Sequence, residues 1–143
     1  MFKVMERNYK KEVDKMNNEE LKLIRKAFKD DRRIIEKIPD EQRIVDEDCY
    51  QGGSVYRTED GELIDLEIQE RDYDVEDHVN YIEFAEALYE IHKQKINVYV
   101  YCVPSVKIHI QLYDIKSEAD FKIRIAQYRD NSIKNRIKSK IRG

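Results

Sequence analysis

The stretch Gly61-Glu62-Leu63-Ile64-Asp65-Leu66-Glu67-Ile68-Gln69 decides the reading of this chain. Apolar and polar residues alternate along it, and side chains alternate faces along a strand. Ile64, Leu66 and Ile68 therefore share one face, and Asp65, Glu67 and Gln69 share the other. Just before it, Glu59-Asp60-Gly61 reads as a three-residue hairpin loop with glycine at the left-handed position, so residues 54–58 pair back as the partner strand. Asp65 and Glu67 then project together, about 7 Å apart along the strand. On alternation alone, the better reading of this polar face is a solvated edge of a half-exposed antiparallel sheet. The other reading is a cation site, because Mg²⁺ takes oxygen ligands and is usually held by one or two carboxylates together with substrate phosphate.

Working outward, helical periodicity flanks the hairpin on both sides. Tyr9, Val13 and Met16 have helical spacing. Asn17, with Glu20 three residues on, opens a second helix by a capping box, and Leu21, Ile24, Phe28, Ile35 and Ile38 form its stripe up to the stop at Pro39. Ile44 and Val45 suggest a short strand, and Gly52-Gly53 a bend. After the hairpin, Asp74 caps a helix running to about Gln94, with Val75, Val79, Ile82, Ala85 and Tyr89 as its apolar face. Residues 96–103, 106–112 and 119–126 alternate as three strands, with Val98, Val100 and Cys102 opposite Asn97, Tyr99 and Tyr101. Ile133, Ile137 and Ile141 close the chain as a short helix. A hairpin followed by a crossover helix and another strand predicts a mixed sheet with helices packed on it, an α/β fold.

The 143 residues suit a single domain with a core of its own. Charged residues make up 40% of the chain, well above the usual quarter, yet the apolar positions are periodic, so the chain reads as folded. The net charge of −3 means that nucleic-acid contact needs a local basic patch. Lys134, Arg136, Lys138 and Lys140 offer one, and a solvated face opposite the isoleucines is the plainer reading. Two cysteines, Cys49 and Cys102, are too few for a disulfide framework. The charged N-terminus has no signal-peptide pattern, and no apolar run is long enough to span a bilayer, so the expected location is cytoplasmic, away from membranes. His78, His92 and His109 are dispersed and form no zinc pattern. No phosphate-binding glycine loop and no nucleophile elbow is present.

The hairpin and its E-x-Q strand, Glu67-Ile68-Gln69, resemble those of the PD-(D/E)XK nucleases, in the recombination-promoting, transposase-like branch. The helix from Asp74 and the strand from Ile96 resemble that family's next helix and strand. Arg43-Ile44-Val45-Asp46 resembles its approach to the first metal-binding acid, and residues 115–121 resemble a segment after its core. The resemblance implies a restriction-endonuclease-like sheet and Mg²⁺- or Mn²⁺-dependent cleavage of DNA. It implies Glu67 as a metal ligand and Gln69 as the residue that positions water or phosphate. Family spacing places the second acid near Gly53 or Ser54, neither of which is an acid, so Asp46 or Asp48 is the expected partner of Glu67, with Asp65 assisting. The arginine expected near the start of the following helix is replaced by Asp77, His78 and Asn80, and the chain is short for the family. A nuclease-shaped binding or self-associating module, a homodimer for example, is the competing expectation.

Overall fold

The structure is a computed structural model that describes residues 18–43, 50–109 and 121–127. Its elements run α1 (Asn18–Lys26), β1 (Ile34–Lys37), a 3₁₀ turn (Asp40–Gln42), β2 (Ser54–Thr58), β3 (Leu63–Gln69), α2 (Val75–His92), β4 (Ile96–Cys102) and β5 (Phe121–Gln127). The five strands form one sheet in the order β1-β2-β3-β4-β5. The first three are an antiparallel meander, and β3-β4 and β4-β5 are parallel. The fold is therefore mixed α/β, with a five-stranded mixed sheet flanked by helices. No helix among the described residues is long and apolar enough to cross a membrane.

The hairpin forms as its sequence dictates. Gly61 adopts φ +84°, a value glycine reaches without the Cβ clash, and its N–H donates to the Thr58 carbonyl at 3.0 Å. Asp74 caps α2 in a reciprocal capping box with Asp77, which satisfies backbone donors that the first helical turn leaves unpaired.

Three expectations are corrected. The long helix up to Pro39 ends instead at Lys26, and Ile34–Lys37 is a strand. Lys29 takes φ 54° and the Asp30 N–H bonds back to the Ile24 carbonyl at 3.1 Å, a left-handed C-terminal stop. Ile35 and Ile38 fit the helical period by coincidence of spacing. The buried face of α2 is His78, Tyr81, Phe84, Ala85 and Leu88, while Val75 and Val79 are 61% and 42% exposed. The strand expected over residues 106–112 is, within the described part, a single bridge from Ile108 to Tyr73. The expected helices at residues 9–16 and around Ile133, Ile137 and Ile141 lie outside the described residues.

Both faces of the sheet are covered. Ile24 of α1 and Phe28, just beyond its end, pack on Tyr56, Ile64, Leu66 and Tyr99. On the other face Tyr81, Phe84, Ala85 and Leu88 of α2 pack on Val55, Leu63, Val98, Val100 and Cys102. Tyr99 stacks on Phe28 with ring centroids 4.5 Å apart and donates its hydroxyl to Asp30 at 2.7 Å. Tyr99 is thus a packed core residue.

Candidate functional site

Asp65, Glu67 and Gln69 belong to the face of β3 that α2 covers. They line up beside Val98, Val100 and Cys102 of β4, and all three are buried. This corrects the solvent-exposed reading of the polar face: alternation along one strand carries no information about the helix that returns over it. The consequence is chemical. Charged carboxylates are expensive in such an interior unless paired or bonded.

The two acids meet this demand differently. Glu67 accepts the Tyr50 hydroxyl on Oε1 at 2.8 Å and the Gly53 N–H on Oε2 at 3.0 Å. Burial raises its pKa, opposed by hydrogen bonding with Asp65, Tyr50 and Gly53 and by the charge of Arg43. Neither oxygen of Asp65 has a hydrogen-bond donor. Burial, and after it the neighbouring Glu67 charge, pushes the Asp65 carboxyl well above the usual range, so Asp65 is the member that keeps the proton when one is shared. Tyr50 remains a phenol, its pKa raised by burial and by the charge of Glu67.

Gly53 makes this packing possible. A Cβ built there would lie 2.2 Å from the Leu66 carbonyl oxygen and 2.8 Å from Glu67 Oε1. The position where the resemblance calls for a second acid is thus adjacent to Glu67, and it is filled by main chain. Arg43 reaches the same place: it is buried, and its Nη1 donates to the Gly53 carbonyl. Asp46 and Asp48 lie outside the described residues.

Gln69 is fully engaged. Its Nε2 donates to the carbonyls of Arg71 and Asp72 at 2.9 and 3.3 Å and to Asp77 Oδ2 at 3.3 Å, and its Oε1 accepts the Tyr81 hydroxyl. It ties the end of β3 to the start of α2. His78 is buried, its Nδ1 2.7 Å from the Tyr73 hydroxyl, and burial lowers its pKa. His92 bonds the Gln42 carbonyl at 3.2 Å, and His109 lies 3.6 Å from Asp72, so the three histidines stay apart. Cys102 is buried on the α2 face, its thiol pKa pushed up to about 11 by burial. Lys134, Arg136, Lys138 and Lys140 lie outside the described residues.

Among the described residues no group of three or more His, Cys, Asp or Glu side chains is gathered to hold a metal ion. The carboxylates gathered here are two, Asp65 and Glu67, both buried. Tyr50 and Arg43 are the residues that reasoning from sequence missed. Nothing in their local pattern marks them, because each reaches Glu67 or Gly53 across the fold. Comparison of the chain with protein-family models, curated proteins and solved structures finds no match.

Proposed function

We propose that this chain is a divalent-metal-dependent DNA endonuclease of the PD-(D/E)XK type, with a restriction-endonuclease-like sheet. One observation carries the reading. A buried acid pair, Asp65 and Glu67, sits on the strand between the meander and the parallel half of the sheet. The sequence of hairpin, helix and parallel strand, and the closeness of position 53 to Glu67, agree with the resemblance.

In this reading Glu67 and Asp65 hold the cation, joined by Asp46 or Asp48 from the segment that Arg43 and Tyr50 bracket. A bound Mg²⁺ or Mn²⁺ lowers the pKa of water and offsets phosphodiester charge. Gln69 orients the attacking water, which requires one of its contacts to Arg71, Asp72 or Asp77 to give way. Lys134, Arg136, Lys138 and Lys140 contribute phosphate contacts that offset the acidic body. The test is cleavage of supercoiled plasmid with Mg²⁺ or Mn²⁺ by the wild type and by Glu67→Ala. Metal-dependent nicking lost in the variant is expected. No cleavage with any metal, or equal cleavage by both proteins, removes the reading.

The bonding of Gln69 at both ends of its amide favours a second reading, a nuclease-shaped binding module without a reaction. It predicts no Mg²⁺ heat in calorimetry, and metal binding abolished by Glu67→Ala counts against it.

A further inference from the structure

We propose that the edge of the sheet on the α1 side is a docking surface for duplex DNA, where Lys122 and Arg124 of β5 and the basic end of α1 contact phosphates. Lys122 and Arg124 stand in register with Asn97 and Tyr99 of β4, so they share the face that α1 covers. Asp65 and Glu67 lie on the other face, under α2, and the surface therefore stands whether or not the chain cleaves DNA. β5 is the last strand of the sheet. Lys122 and Arg124 are exposed on it, about 7 Å apart along the strand. The end of α1 reaches the same edge. Phe28 stacks on Tyr99 and Asp30 accepts the Tyr99 hydroxyl, which fixes the backbone of Lys29 beside β4. Arg25 and Lys26 form the last turn of α1, and these two and Lys29 are exposed. Among the described residues, no carboxylate forms an ion pair with Arg25, Lys26, Lys29, Lys122 or Arg124. The acids next in the chain are Asp30, already paired with Arg32, and the exposed Asp31.

Arg124 is the pre-organised member. Its guanidinium carbon lies 5.5 Å from the Tyr99 ring centroid and 5.9 Å from that of Phe28. Contact with aromatic faces holds a guanidinium in place and leaves N–H groups for a partner, and its fork matches phosphate oxygens. The helix macrodipole accounts for cations at the end of α1. A strand has no comparable field, so Lys122 and Arg124 need another reason. The patch offers charge and no platform for bases, because Phe28 and Tyr99 are only 1% and 3% exposed. That favours a duplex, whose bases stay stacked inside, over a single strand, which is gripped by aromatic side chains. None of the large exposed apolar residues lies on α1 or β5, so the patch lacks what a membrane-binding face inserts. The chain as a whole carries −3, and a local basic cluster is where an anionic polymer can approach it.

The experiment follows binding of the full chain to a short fluorescent DNA duplex by anisotropy, across a salt series in EDTA. Each lost phosphate contact lowers the salt slope by about one and the affinity near about 0.1 M salt roughly tenfold. Arg124→Gln is expected to show this loss, and adding Lys122→Gln to double the change in slope. Lys37→Gln makes the same charge change on β1, at the opposite edge of the sheet, and is expected to leave slope and affinity as they were. No duplex binding by the wild type overturns the proposal. So does a folded double variant with unchanged slope, or an equal loss in Lys37→Gln. Tighter binding to the single strand, or to vesicles of phosphatidylcholine with phosphatidylserine, overturns it as well. Should Arg124→Gln fail to fold, Lys122→Gln decides alone, and an unchanged slope in it counts against the surface. Failure of the nuclease reading looks different: the wild type binds the duplex in EDTA but cleaves it with no metal, and the surface remains.

Discussion

Asp65 and Glu67 lie two residues apart on the same buried face of β3, yet Glu67 has donors from Tyr50 and Gly53 while Asp65 has none. Both carboxyls are raised above their ordinary values of 3.8 and 4.5. The folded state therefore holds protons that the unfolded chain releases. Their contribution to stability is fully present below about pH 3.8 and is lost as pH rises through the raised values. Asp65→Asn is expected to flatten this decline and to raise stability at pH 7 by about 1 kcal/mol or more, roughly 3 °C in melting temperature. Thermal melts from pH 4 to 9 check it, and a variant less stable than wild type at pH 7 contradicts it.

Asp30 has the opposite sign. Burial would raise its pKa, but hydrogen bonds from Arg32 and Tyr99 outweigh burial and hold it at about 2. Its contribution is present above 3.8 and is lost as pH falls through about 2. Asp30→Asn should cost about 2 kcal/mol at pH 7, the scale of charge-assisted hydrogen bonds. The gap should close toward pH 2 in urea titrations, and a gap that persists there would point to packing instead.

Gly53→Ala places a methyl against the Leu66 carbonyl, main chain that can move only by separating β2 from β3. Overpacking of this kind costs about 1–3 kcal/mol, and here it also displaces the Gly53 N–H from Glu67. A loss below about 0.5 kcal/mol in denaturant titration would mean that the entry to β2 runs elsewhere.

The phase of α2 is open to a direct comparison. Leu88→Ala removes a buried side chain and should cost about 2–5 kcal/mol. Val79→Lys changes a half-exposed position and should stay within about 0.5 kcal/mol. Reversed magnitudes would restore the face that periodicity alone suggests.

Local signals were the legible ones. The hairpin at Gly61 and the cap at Asp74 depend on a few consecutive residues, and both form as read. The misreadings arose where a partner decides. Ile35 and Ile38 match a helical stripe, but β2 recruits that segment as a strand: the Ile38 N–H bonds the Val55 carbonyl. On α2 two apolar stripes compete, and the sheet selects the one carrying Tyr81, Phe84 and Leu88. The acids of β3 were found from alternation, but their burial depends on a helix that begins six residues after Gln69. Arg43 and Tyr50 contribute through contacts 10 and 17 residues away, which no local pattern encodes.

β3 has hydrogen-bonded neighbours along both edges, antiparallel on one side and parallel on the other. Its amides can exchange with solvent deuterium only when the whole sheet opens, not by fraying of an edge. Occupancy at Asp65 and Glu67 will therefore register as a change in global protection, and slow exchange along this one strand offers a ligand-detection signal that needs no substrate turnover.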